Sequence, residues 1–281
     1  IILTTLAAAT QRVIAPDTLE RHVLDIAVGA RGDEKQIRDY LVRNGYARTD
    51  TVRDAGEFAV RGGIIDFYPP GFSAPLRLDL FGDTIESIKS FDPVTQRTDQ
   101  SLPSVRLLPA TEYGLDDESI ARFRQAYRDA FGVPSADDVL YHTISEGRRY
   151  QGADHWLPFF HEKLATLFDY LPRSVTVTLD PQADHDVQER FDQIADYYES
   201  RVALARAQAE SKSKRDIAPT YCPVRPEALY VGADEWRDVL ESHDVTAFQG
   251  FLGGESVVPA QAGTQELFKI EKNNLVQPTR G

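Results

Sequence analysis

Two adjacent glycines, Gly62-Gly63, separate two runs rich in β-branched and aromatic residues, Phe58–Val60 and Ile64–Tyr68. No other feature constrains this chain as strongly. Two apolar runs joined by residues that tolerate turn geometry close into a hairpin. Pro69-Pro70-Gly71 makes the next turn, Leu76–Phe81 follows as an alternating strand, and Gly82-Asp83 turns the chain into Thr84–Phe91. Short apolar segments punctuated by Gly and Pro at this spacing predict a small antiparallel sheet.

The third strand of that sheet points to function. A period of two places Leu76, Leu78 and Leu80 on one face and Arg77, Asp79 and Phe81 on the other. The leucines make an ordinary core face. The other set puts an aromatic ring and a guanidinium on the side expected to be wet, and aromatics and Arg dominate protein-docking hot spots. The same residues also allow a plainer arrangement, in which Phe81 folds over the hairpin end and Arg77 pairs with Asp79 or Glu86.

Four blocks between Glu57 and Thr98 keep a recognisable order and spacing: Glu57-Phe58 with Arg61-Gly62, Ile64-Ile65-Asp66-Phe67-Tyr68-Pro69, Arg77-Leu78-Asp79-Leu80-Phe81-Gly82-Asp83, and Phe91-Asp92 with Thr95-Gln96-Arg97. This set resembles the UvrB-like second domain of the bacterial transcription-repair coupling factors (Mfd), of which UvrB has a related version. Four matching blocks over some forty residues are far more specific than a lone short motif.

The resemblance implies a fold and a division of the chain. The expected fold class is α/β: a partial, degenerate helicase-like parallel sheet derived from a P-loop NTPase, into which a small α+β antiparallel-sheet domain is inserted. Residues 1–29 would open the helicase-like domain, 30–112 would form the insert, 113–249 would complete the first domain, and 250–281 would be a weakly ordered tail without family resemblance. Ile1–Thr5 is β-branched and apolar, like a buried parallel strand. Leu6–Val13 reads as the start of a helix or turn, with Pro16 expected to stop it and Leu19–Ile26 a connecting segment. Ile37, Tyr40 and Leu41 lie at helical spacing within Asp33–Asn44, and Tyr46–Arg53 is a strand candidate. Asp116–Phe131 predicts an amphipathic helix with Ile120, Phe123, Tyr127 and Phe131 as its apolar stripe, an acidic cap and Gly132 at its end. Val133–Tyr150 reads as loop. The aromatic segment Trp156–Phe160 is expected to pack on the returning sheet, to which Ser174–Leu179 contributes a strand. Ala183–Ala209 predicts a long helix, Ser211–Arg215 a solvated basic break, and Trp236 and Leu240 a last short helix.

Composition narrows the function. The chain has 281 residues and a net charge of −13, which argues against a general nucleic-acid binder. Residues 30–112 carry 11 Lys/Arg against 13 Asp/Glu, a net −2, whereas residues 113–281 carry 18 against 28. A nearly balanced surface with specific Arg anchors suits a protein partner. Cys222 is the single cysteine, so an intramolecular disulfide is impossible and a reducing cytoplasm is the expected location. The chain contains no Met and reads as an internal or processed fragment. No apolar run reaches the length of a membrane span.

Catalysis is not expected. No GxxxxGK[ST] or GxSxG occurs, and the six histidines (His22, His142, His155, His161, His185 and His243) form no recognised ligand spacing. No cofactor or metal is expected. The resemblance implies instead a non-catalytic module that recruits UvrA. The positions matching the family's UvrA contacts are Arg61, Arg77 and Phe81, with two guanidiniums reaching carboxylates and Phe81 anchoring between them. The strand pattern reaches Arg77 and Phe81 by itself. Arg61 rests mainly on the resemblance, and pairing with Asp66 or Glu57 is its structural alternative. In the full-length family protein, RNA polymerase and DNA are further partners through domains missing here. The rival reading is a UvrB-type DNA-damage-binding, helicase-derived domain that contacts DNA directly. It would need a phosphate loop and a Tyr-rich hairpin, and 116–150 offers a helix and a loop.

Overall fold

The computed structural model describes residues 1–210 and 221–247. The basic break Ser211–Arg215 and the tail expected from residue 250 lie outside the described residues. In chain order the first elements are α1 (Leu6–Ala9), β1 (Val13–Ile14), α2 (Pro16–Arg21), β2 (Leu24–Ala27) and α3 (Glu34–Arg43). Six strands come next: β3 (Ala47–Arg48), β4 (Glu57–Arg61), β5 (Ile64–Phe67), β6 (Leu76–Phe81), β7 (Thr84–Phe91) and β8 (Thr98–Leu102). They lie side by side in that order in one sheet. The short β3 is parallel to β4, and every other pair is antiparallel.

The hairpin forms where the glycines require it. Arg61 pairs with Ile64 across Gly62-Gly63, and Gly62 takes a φ of 61°, a conformation that costs glycine little. Gly63 serves a different need. A Cβ there would lie 2.6 Å from the carbonyl oxygen of Leu80, whose amide donates to the Gly63 carbonyl at 2.8 Å. The β4–β5 turn is thus pressed against the end of β6.

One face of the sheet is core. Phe58, Ile65, Phe67, Leu76, Leu78 and Ile88 are almost fully buried there, against Ile37 and Leu41 of α3 and against Ile26 of β2. Burial of each such side chain contributes about 1.5–3 kcal/mol. Asp33 caps α3 by accepting from the Lys35 amide. The strand β9 (Ser104–Leu107) leaves the sheet and pairs antiparallel with β2, Leu24 opposite Leu107 and Ala27 opposite Ser104. The Tyr40 hydroxyl sits 2.6 Å from the His22 carbonyl and 2.9 Å from that of Leu107, tying the two strands together.

The remainder is mostly helical. α4 (Asp117–Phe131) is capped by the Asp116 carboxylate, which accepts from the Ser119 amide, and ends at Gly132 with a φ of 83°. Phe123 and Tyr127 of its stripe are buried, packed with α5 (Val139–Ser145) and the 3-10 segment Ala153–Phe159. Phe123 stacks on Phe160 at 4.9 Å between centroids, and Phe160 on Tyr113 at 4.5 Å. A smaller cluster joins Val187 of α6 (Ala183–Glu210) to Trp236 and Leu240 of α8 (Ala233–Glu241), with the four-residue α7 (Pro226–Leu229) between them in sequence. β10 (Leu164–Ala165) pairs with β1, and β11 (Thr176–Leu179) runs parallel to β12 (Asp244–Ala247).

Several expectations are corrected. The parallel sheet of the flanking part amounts, among the described residues, to β11 and β12 alone. Ile1–Thr5 is not a strand there; its apolar side chains are exposed, because no described strand offers it a ladder, and an unpaired β run has no hydrogen bonds of its own. Pro16 does not stop a helix but opens α2, where its missing N–H costs nothing. The connector expected at Leu19–Ile26 holds the end of α2 and the start of β2. The strand expected over Tyr46–Arg53 shrinks to β3. The loop expected at Val133–Tyr150 contains α5, capped by Asp138, whose Oδ1 accepts from the Tyr141 amide. Trp156–Phe160 packs mainly with α4 and α5, in a cluster that also takes in Ile14 and Leu164 of the small β1–β10 pair but not β11.

Candidate functional site

The outer face of the six-stranded sheet collects the predicted residues. Register carries Arg61 and Ile64, Asp66 and Arg77, and Asp79 onto one surface: Asp66 is opposite Arg77, and Ile64 is opposite both Arg61 and Asp79. Phe81 lies at the end of β6 beside the β4–β5 turn and is 80% exposed. It does not fold over the hairpin. A large aromatic ring left in water is uncommon on a folded surface. Ile64, 36% exposed, adds a second apolar group at the same end of the sheet.

The arginines meet at Asp66. That carboxylate is 1% exposed and accepts from Arg77 on both oxygens, Nε to Oδ1 at 2.7 Å and Nη2 to Oδ2 at 2.9 Å. Arg61 adds an Nη2 contact to Oδ2 at 2.6 Å. Arg77 therefore pairs with neither Asp79 nor Glu86. Asp79 accepts instead from the Ser87 hydroxyl at 2.6 Å and faces Lys89 at 3.5 Å. The Arg77 guanidinium also lies 4.8 Å above the centroid of Phe91, within cation–π range. Its hydrogen bonds to Asp66, reinforced by the charges of Asp66 and Asp79, raise its affinity for its proton even against the burial that opposes it.

Behind this triad is a small second core of Val52, Ala59 and Phe91, with Tyr68 packed against it. Gln96 closes that end in the left-handed region, φ 60°, and its side-chain amide donates to the carbonyls of Val52 and Pro93. The two arginines differ in what they can still offer. Arg77 is 18% exposed and has given one full edge to Asp66, so the fork expected of it toward a partner is largely occupied. Arg61 is 52% exposed and keeps most of its donors free for another carboxylate.

Sequence reasoning named Arg61, Arg77 and Phe81 and offered Asp66 as a partner for Arg61, which the structure shows; it missed that Asp66 also holds Arg77, and the place of Ile64. The signal was present. A two-residue turn sets Arg61 opposite Ile64, which places Asp66 diagonal to Arg61 on the same face.

Elsewhere, His185, Asp186 and Glu189 bring possible ligand atoms within 4.8 Å of one another on the surface of α6, all three exposed. On an acidic surface such a group is ordinary solvated charge. Between the segment after β9 and the segment after the 3-10 turn, the His161 Nε2–H donates to the Glu112 carbonyl at 2.7 Å. Burial lowers the His161 pKa and raises that of the Glu112 carboxyl, the latter helped by the charge of Asp154. No helix among the described residues is long and apolar enough to cross a membrane.

Comparison with known proteins places the sheet within a recognised family match. A family model described as the UvrB interaction domain matches residues 24–113. The transcription-repair-coupling factor of Haemophilus influenzae is 35% identical over 250 residues, covering 89% of this chain and 21% of that protein. Those of Escherichia coli (34% over 226 residues, 80% and 18%) and Rickettsia prowazekii (30% over 287 residues, 98% and 25%) match likewise. The chain thus spans about a fifth to a quarter of the length of these curated relatives. Residues 24–113 thus match the UvrB interaction domain family, within a sequence similar to part of the transcription-repair-coupling factors.

Proposed function

We propose that this chain is the non-catalytic docking module of a transcription-coupled DNA repair factor and recruits UvrA through the outer face of its six-stranded sheet. The observation that carries the reading is an exposed Phe81 beside an arginine held on a buried carboxylate, both on rigid strands. An apolar anchor next to an ordered cation is the composition of an interface hot spot, and a sheet presents it without paying loop-ordering entropy. Arg61, Arg77 and Phe81 are the proposed binding residues, with Arg61 and Phe81 the most accessible of the three. Within a full-length coupling factor, RNA polymerase and DNA would be engaged through other parts of the protein, and the cytoplasm is the proposed location.

Calorimetric titration of the chain into purified UvrA tests this, beside an Arg61→Ala, Phe81→Ala variant. Removing one buried hot-spot residue typically costs about 2–4 kcal/mol, so the variant is expected to bind at least tens of times more weakly. Equal binding by both would move the site off this face. Direct binding to DNA that weakens steeply with salt would favour a nucleic-acid function instead.

A further inference from the structure

Docking accounts for Arg61, Arg77 and Phe81 but leaves Asp66 without a role. A carboxylate 1% exposed in mid-strand is tolerated only when its lone pairs are filled and its charge is balanced. Asp66 has more than balance: two guanidiniums share one carboxylate, which leaves the group with a formal charge of +1. Arg77, enclosed between Asp66 and the Phe91 ring, neutralises the carboxylate from the inner side. The surplus charge therefore belongs to Arg61, which stands at the rim beside Ile64 and the turn that packs on Leu80, the residue before Phe81.

Resting on the UvrA-docking reading, we propose that Asp66 is a positioning residue for that interface. One Nη2–H···Oδ2 contact fixes the Arg61 guanidinium in place and leaves its outer edge to solvent. The partner surface that fits is one carboxylate next to an apolar hollow for Phe81 and Ile64, rather than an extended acidic patch. An arginine that swings freely loses rotamer freedom when it binds. One ordered beforehand has already lost it, which is worth roughly threefold to tenfold in affinity. Arg77 also acts through Asp66, by holding both of its oxygens in place.

Two measurements on the whole chain test this separately from docking itself. Side-chain ¹⁵Nε relaxation is expected to show Arg61 restrained in the native chain and freely mobile in Asp66→Asn. A mobile Arg61 in the native chain overturns the proposal whatever UvrA does. In titration with UvrA, Asp66→Asn is expected to weaken binding about threefold to tenfold, and less than twofold further when Arg61→Ala is already present. A loss of the same size with and without Arg61 would mean a purely structural role and sink the idea. Arg77→Lys, which keeps a cation beside Asp66, is expected to hold affinity within about threefold; a larger loss with Arg61 still restrained would make Arg77 a direct contact. If Asp66→Asn does not fold, Asp66→Glu takes its place, since one extra methylene moves the carboxylate off the Arg61 contact. A native chain with a restrained Arg61 that does not bind UvrA would defeat the docking reading while leaving the positioning intact.

Discussion

Replacing both Arg77 and Asp66 by alanine should destabilise the sheet by less than the two single replacements combined. The guanidinium supplies two of the three N–H contacts that Asp66 accepts. Its loss leaves a carboxylate that was 1% exposed with a single donor on one oxygen. Stranding a fully buried ion costs about 3–5 kcal/mol. Two features reduce this: Arg61 remains, and the space vacated by a side chain 18% exposed opens toward water. Loss of the contact over Phe91 adds about 0.5–1 kcal/mol. The net expectation is about 2–3 kcal/mol for Arg77→Ala. In the Asp66→Ala, Arg77→Ala variant the stranded charge is gone, so the double change should cost about 1 kcal/mol less than the two single effects combined, or better. Native-state amide exchange of Ile65, Asp66 and Leu78, on the β5–β6 ladder, reads this directly, because both tryptophans, Trp156 and Trp236, lie outside the sheet. Strict additivity of the two substitutions would refute the reasoning, since it would mean that Asp66 is no more costly unpaired than paired.

Three further outcomes are expected. Phe81→Ala should leave stability within about 0.5 kcal/mol, as for an exposed surface site, while sharply reducing UvrA affinity; equal losses in both would show that the ring is packed. Gly63→Ala should destabilise the hairpin by about 1–3 kcal/mol, because its Cβ would meet the Leu80 carbonyl oxygen at 2.6 Å; exchange of the Leu80 amide, which bonds to Gly63, should quicken first. At the His161–Glu112 contact, burial lowers the His161 pKa, so the unfolded chain takes up that proton first and stability falls as pH drops below the usual histidine value of 6.5. Burial raises the Glu112 pKa, so here the unfolded chain gives up its proton first and stability falls as pH rises from the usual 4.5 toward the raised value. Glu112→Gln should therefore stabilise at pH 7 and remove the fall that begins at 4.5, and His161→Gln should remove the loss just below 6.5, both read by urea unfolding across pH.

The hairpins were legible because their determinants are local. Gly62-Gly63 and Gly82-Asp83 stand where the turns are, and period-two alternation in Leu76–Phe81 sorts Arg77 from Leu78 before any partner is known. The same holds for α4, whose Asp116 cap, aromatic stripe and terminal Gly132 all lie within its own sequence. What stayed hidden depends on neighbours distant in sequence. Ile1–Thr5 has the composition of a buried strand, but composition does not supply a partner strand. α5 is short and contains β-branched Val139, Thr143 and Ile144, so its helicity comes from the Asp138 cap and from packing against Tyr127 and Phe123. From sequence, Asp66 was only one of two possible partners for Arg61. Its importance arises only when β4 and β6 bring two arginines to it from either side.

The antiparallel pairing of β2 with β9 has a consequence for ancestry as well as for packing. Leu24 and Leu107 are register partners, so the chain enters and leaves the proposed docking unit at adjacent points, like the two ends of a cassette. A host domain interrupted there needs to bridge only the spacing of two neighbouring strands, roughly 5 Å, whatever is carried between them. Such a unit can be inherited, lost or exchanged as a block without re-registering the structure around it, and one docking surface can thereby be carried by otherwise unrelated machines.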